Sequence, residues 1–103
     1  MANDLFTIPV QPVPQRFEIE LLAVTYIIEN RWNDQGGYWE LDWYDANGVP
    51  LVMAVPVLGN VDLLEAFPQL PAGIMAVLTG GDEGIDPTLD GLGTESLLYY
   101  LTP

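Results

Sequence analysis

Residues 33–48, NDQGGYWELDWYDANG, decide how this chain is read. Trp39, Leu41 and Trp43 share one parity, and Tyr38, Glu40, Asp42 and Tyr44 the other. Period two is the signature of a strand with two unlike faces. Asn33-Asp34-Gln35-Gly36-Gly37 is a loop by composition, rich in residues that tolerate positive φ. Asp45-Ala46-Asn47-Gly48 is a hairpin turn, with Asn-Gly supplying the left-handed positions. The aromatic row is either a platform for a ligand or the inside of a sheet.

The upstream sequence answers for the inside. Phe17, Ile19 and Leu21 alternate with Arg16, Glu18 and Glu20 in a strand. VTYIIENRW continues extended, with Val24, Tyr26, Ile28 and Trp32 on one face. Pairing 24–32 with 38–45 around the 33–37 loop sets Trp32 opposite Trp39, Ile28 opposite Trp43 and Arg31 opposite Glu40. Aromatic pairs across strands hold register, so Trp39 and Trp43 are expected in the core. Stacking on sugar rings is the competing use of such a row.

Downstream, GVPLVMAVPV is a strand apolar on both faces and bracketed by Pro50 and Pro56, which suits a short strand or an edge. Residues 62–67 are the one helical candidate, cut off by Pro68 and Pro71. GIMAVLT is a further strand, residues 80–93 are a long glycine-bearing loop, and SLLYYLT closes the chain as a strand. The expected architecture is all-β, a mainly antiparallel sandwich or small barrel, with at most one short helix near 62–67. No linker or repeat divides the chain, so residues 1–103 read as a single domain.

Composition narrows the function. The chain has 103 residues, no cysteine and no histidine, which excludes disulfides, thiolate chemistry and imidazole ligands or bases. Fifteen acids stand against two arginines, a net charge of −13, which opposes binding to nucleic-acid phosphates. MANDLFTIPV lacks the pattern of a signal peptide, and no apolar run is long enough to span a membrane. Half of the residues are hydrophobic and mean hydropathy is +0.22. Apolar excess in a small domain marks an interface.

Asp82, Glu83, Asp86 and Asp90 in the loop could hold calcium, but their spacing is not that of an EF-hand and the plain reading is a solvated loop. Asp42, Asp45 and Asn47 also resemble ligands, though turn chemistry accounts for the last two. With so many acids, a carboxylate pair carries no catalytic information. No nucleophile elbow, phosphate loop or metalloprotease helix is present. The reading is no enzyme, no cofactor and no metal.

QRFEIELLAVTYIIENRWND, YWELDWYDANGVPLVMAVPVLGNVDLL and DPT followed by GLGTESLLYYLT together resemble the small baseplate plug proteins of contractile-tailed bacteriophages. The pattern of that family often has glycine where Ala23 lies and asparagine where Gly91 lies. The resemblance implies a structural virion protein at the distal end of the tail tube, in the phage tail baseplate, assembled in the bacterial host cytoplasm. It implies tail tube and baseplate hub proteins as partners. A symmetric assembly with copies of itself is expected from the C-terminal strand, because Leu97, Tyr99 and Leu101 point one way and Leu98 and Tyr100 the other. A strand apolar on both faces needs cover on both, and a strand at the chain end can lie at a sheet edge. The interface candidates are Tyr38, Tyr44, Leu97, Tyr99, Tyr100 and Leu101. The alternative is a carbohydrate-binding module using exposed aromatics such as Tyr38 and Tyr44.

Overall fold

The computed structural model describes residues 4–59, 61–80, 82 and 84–103. Seven strands follow one another: β1 (Leu5–Ile8), β2 (Gln15–Leu21), β3 (Val24–Asn33), β4 (Tyr38–Asp45), β5 (Pro50–Val57), β6 (Ile74–Thr79) and β7 (Ser96–Leu101). They form a four-stranded sheet in the order β2-β3-β4-β5 and a three-stranded sheet in the order β1-β7-β6. All neighbouring strands are antiparallel. The expected all-β architecture holds, as a sandwich.

The β3–β4 hairpin has the register that the aromatic pattern required. Trp32 pairs with Trp39, Ile28 with Trp43 and Arg31 with Glu40. Tyr26, Ile28, Leu41 and Trp43 face inward and meet Ile8, Met75, Val77, Leu98 and Tyr100 of the other sheet in one core. Trp39 and Trp43 are 1% and 0% exposed, so the aromatic row is the inside of the sheet. Edge-on contacts order it: Tyr26 meets Trp43 with centroids 5.6 Å apart, and Trp32 meets Trp39 at 5.7 Å.

Among the described residues there is no helix. Residues 62–67 form successive turns, with Glu65 N–H donating to the Asp62 carbonyl and Phe67 N–H to that of Leu64. Pro68 cannot extend a helix and disfavours helical geometry before it. The Asp62 carboxylate instead ties two segments together, accepting from the N–H groups of Leu64 and Met75.

The N-terminal strand β1 was not apparent in the sequence. It displaces β7 from the expected edge position: β7 lies in the middle of its sheet, between β1 and β6. The 80–93 loop is also more than a solvated connection. Leu92 is fully buried, and Trp39 Nε1 donates to the Thr88 carbonyl at 3.0 Å. Gly93 lets this loop approach the N-terminal segment, since a Cβ there would lie 2.1 Å from the Val10 carbonyl oxygen.

Candidate interaction surface

The alternation of β7 has a direct spatial result. Ser96, Leu98 and Tyr100 are buried, whereas Leu97, Tyr99 and Leu101 are half-buried on the outer face. Cross-strand register builds that face row by row. Leu5, Leu101 and Ile74 make one row, Thr7, Tyr99 and Ala76 the next, and Leu97 and Leu78 the third. None of these residues is an acid or an arginine. Leu5 and Ile74 are 63% and 48% exposed. A shallow concavity of about 370 Å³ is lined by Leu5, Ile74, Ala76, Leu78, Tyr99 and Leu101.

Tyr100, counted among the interface candidates from the sequence, belongs to the core instead. It is 0% exposed, and its hydroxyl donates to the Ala72 carbonyl. Burial pushes its phenol pKa upward, with a smaller contribution from Tyr26. The outward share of β7 is therefore Leu97, Tyr99 and Leu101.

Tyr38 and Tyr44 lie elsewhere, half-buried on the outer face of the four-stranded sheet. Tyr38 packs its ring against Gly36, where a Cβ would come within 2.2 Å of the ring. Tyr44 lies beneath the Arg16 guanidinium, 4.8 Å from the ring centroid. The neighbouring Glu29 carboxylate is the main cause holding its phenol pKa above the ordinary value. The six candidates thus fall in three places and form no single site.

The outer face of the four-stranded sheet is dominated by charge. Arg31 bridges two neighbours on β4: Nη1 donates to Glu40 at 2.6 Å, while Nε and Nη2 reach the two Asp42 oxygens at 3.0 and 3.2 Å. Both carboxylates are almost fully buried, although Arg31 itself is half exposed. Asp42 also accepts the Ala54 N–H. Burial favours its neutral form, but the bonds from Arg31 and Ala54 prevail and hold its pKa below the usual carboxylate value. The hydrogen bond to Asp42 is likewise the leading cause raising the Arg31 pKa. The second arginine, Arg16, pairs with Glu29 at 2.9 Å.

Two carboxylates of the acidic loop bind main chain. Asp82 accepts from Gly84 N–H and Asp86 from Gly59 N–H. Glu83 lies outside the described residues. Among the described residues no three acids converge as a set of metal ligands. Asp45 accepts from the N–H groups of Asn47 and Val49, which is turn chemistry.

A β-sandwich with charge on one outer face and an uncharged, apolar sheet on the other defines a class: a small protein shaped for docking to other proteins. Residues 5–103 match the family profile described as cyanophage baseplate Pam3 plug gp18, and the chain belongs to this baseplate plug family. It is accordingly a structural component of a phage baseplate, part of the virion, that interacts with other baseplate or tail components. No curated protein matches the chain significantly.

Proposed function

We propose that this protein plugs the distal end of a contractile phage tail tube by protein–protein assembly. It acts as one domain, in copies arranged symmetrically, and performs no enzymatic step. The observation that carries this reading is the uncharged outer face of the β1-β7-β6 sheet, where Leu5 and Ile74 stand exposed beside half-buried Tyr99 and Leu101 on a chain of net charge −13. Burying such a face releases about 25 cal/mol per Å² of apolar area, and no buried charge opposes it. The partners are tail tube and baseplate hub proteins, with neighbouring copies completing the closure. The acidity suits a conduit for DNA, because a wall without unpaired cations does not retain phosphates.

Tyr99→Glu tests the reading. A carboxylate in the middle of the outer face leaves the core untouched, so the variant should fold and melt within a few degrees of the parent. It should be missing from purified virions. Normal incorporation would remove this face from the assembly. Tails assembled without the protein should have an open distal end by electron microscopy; a closed end in its absence overturns the plugging role.

A further inference from the structure

Among the described residues, three of the four sheet edges are guarded against strand addition, and one is not. The β5 edge carries Pro50 and Pro56, and its register is broken opposite Asp42. The β2 edge exposes Glu18 and Glu20. On β6, the main chain of Met75 bonds to Leu63 and Asp62, and that of Thr79 to Asp82. Prolines, bulges, charges and covering loops are the usual means of protecting an edge. Among the described residues, the β1 strand, Leu5-Phe6-Thr7-Ile8, has none of them.

The direction of its free groups follows from the ladder. Thr102 N–H donates to the Asp4 carbonyl, which makes Asp4 and Thr102 a hydrogen-bonded pair. Antiparallel pairs alternate, so Phe6 faces Tyr100 with its main chain turned toward β7. Leu5 and Thr7 turn theirs outward. Among the described residues, no turn, loop or side-chain hydrogen bond reaches the main chain of either.

Beside this edge lies a groove of about 340 Å³ whose lining includes Phe6, Leu21, Leu22 and Tyr100 with Asp4 and Glu20. Phe6 is half exposed although its parity faces the core, and Leu22 is 48% exposed. The groove combines an apolar floor with two carboxylates. We propose that the β1 edge receives an extended segment of another baseplate protein as an added strand. Leu5 and Thr7 exchange main-chain hydrogen bonds with it, an apolar side chain of the segment packs on Phe6 and Leu22, and its lysine or arginine meets Asp4 and Glu20. A second copy of this chain does not suit the site. The chain has no lysine, and both arginines are engaged by their own carboxylates. The inference stands independently of docking by the outer face.

Photocrosslinking in assembled particles tests it. With Phe6, which lines the groove, replaced by p-benzoylphenylalanine, irradiated virions should yield one crosslink, to an extended segment of another baseplate protein bearing lysine or arginine. Thr7→Pro removes an edge N–H without touching the β7 ladder, and Asp4→Lys/Glu20→Lys inverts the rim charge. Each should keep the parent melting temperature within a few degrees and fall at least ten-fold in incorporation. The charge variant decides the matter should Thr7→Pro fail to fold. A crosslink to a second copy or to a segment without a cation overturns the proposal, as does wild-type incorporation of the variants. A crosslink at position 6 combined with normal incorporation of Tyr99→Glu would uphold this contact and reject the outer-face reading.

Discussion

The Asp42 carboxylate accepts the main-chain N–H of Ala54 at 2.7 Å, across the point where the β4–β5 ladder loses its register. Leu41 pairs with Val55 and Trp43 with Val52, so Met53 and Ala54 together oppose Asp42. This is a β-bulge, and Ala54 takes a left-handed conformation with φ of 58°. One carboxylate thus serves the bulge donor and the Arg31 guanidinium together. The bulge bends an edge strand that carries two prolines, which keeps this side of the sandwich closed to strand pairing.

Arg31→Met leaves Glu40 and Asp42 buried without their cation. We expect a loss of about 1–3 kcal/mol, the range for stranding buried polar groups. Adding Glu40→Gln and Asp42→Asn to that variant should recover most of the loss in urea unfolding. A triple variant as unstable as the single one would show that packing of the arginine stem, rather than charge, matters.

Acid should weaken the same contact. The Asp42 pKa is lowered by folding, so its stabilising contribution is present above the ordinary carboxylate value of 3.8 and is lost as pH falls through the lower folded-state value. The stability difference between parent and Asp42→Asn should be constant near pH 6 and shrink below pH about 4. Parallel pH profiles for the two proteins would contradict the assignment.

The two core tryptophans should respond differently to Phe. Trp39 Nε1 holds the Thr88 carbonyl, whereas Trp43 Nε1 is buried without a hydrogen-bond partner among the described residues. Truncation of either to alanine should cost about 3–5 kcal/mol. Trp39→Phe should cost more than Trp43→Phe by about 1 kcal/mol, the worth of the lost hydrogen bond. Proteolysis of residues 80–93 should accelerate only in Trp39→Phe.

The β2–β3 turn stores strain. Leu22 and Ala23 have φ of 53° and 63°, the left-handed pair that Asn-Gly adopts most readily. Replacing Leu22-Ala23 by Asn-Gly should stabilise the fold by about 1–2 kcal/mol, since glycine at position 23 removes the cost of one left-handed L residue. An unchanged or lower melting temperature would show that Leu22 contributes more through packing than its conformation costs.

Parity and turn chemistry were legible in the chain because they are local. Alternation of Trp39, Leu41 and Trp43 with acids, set between the 33–37 loop and Asn47-Gly48, determined the hairpin and its register down to Trp32 opposite Trp39. The twofold apolar character of SLLYYLT showed that β7 needs cover on both sides. Which side the molecule covers itself is a non-local matter. Tyr100 and Tyr99 are adjacent and chemically equal, and only the packing of the four-stranded sheet sends the first into the core and leaves the second outside. The strand β1 is four residues long, too short for a periodic signal, and it exists because Thr102 and Tyr100 lie alongside. The bulge at Ala54 likewise depends on Asp42, twelve residues away, to satisfy its free N–H. Sequence thus determined the strands whose faces differ in polarity, and tertiary contacts decided the short strand, the strained turns and the exposed face.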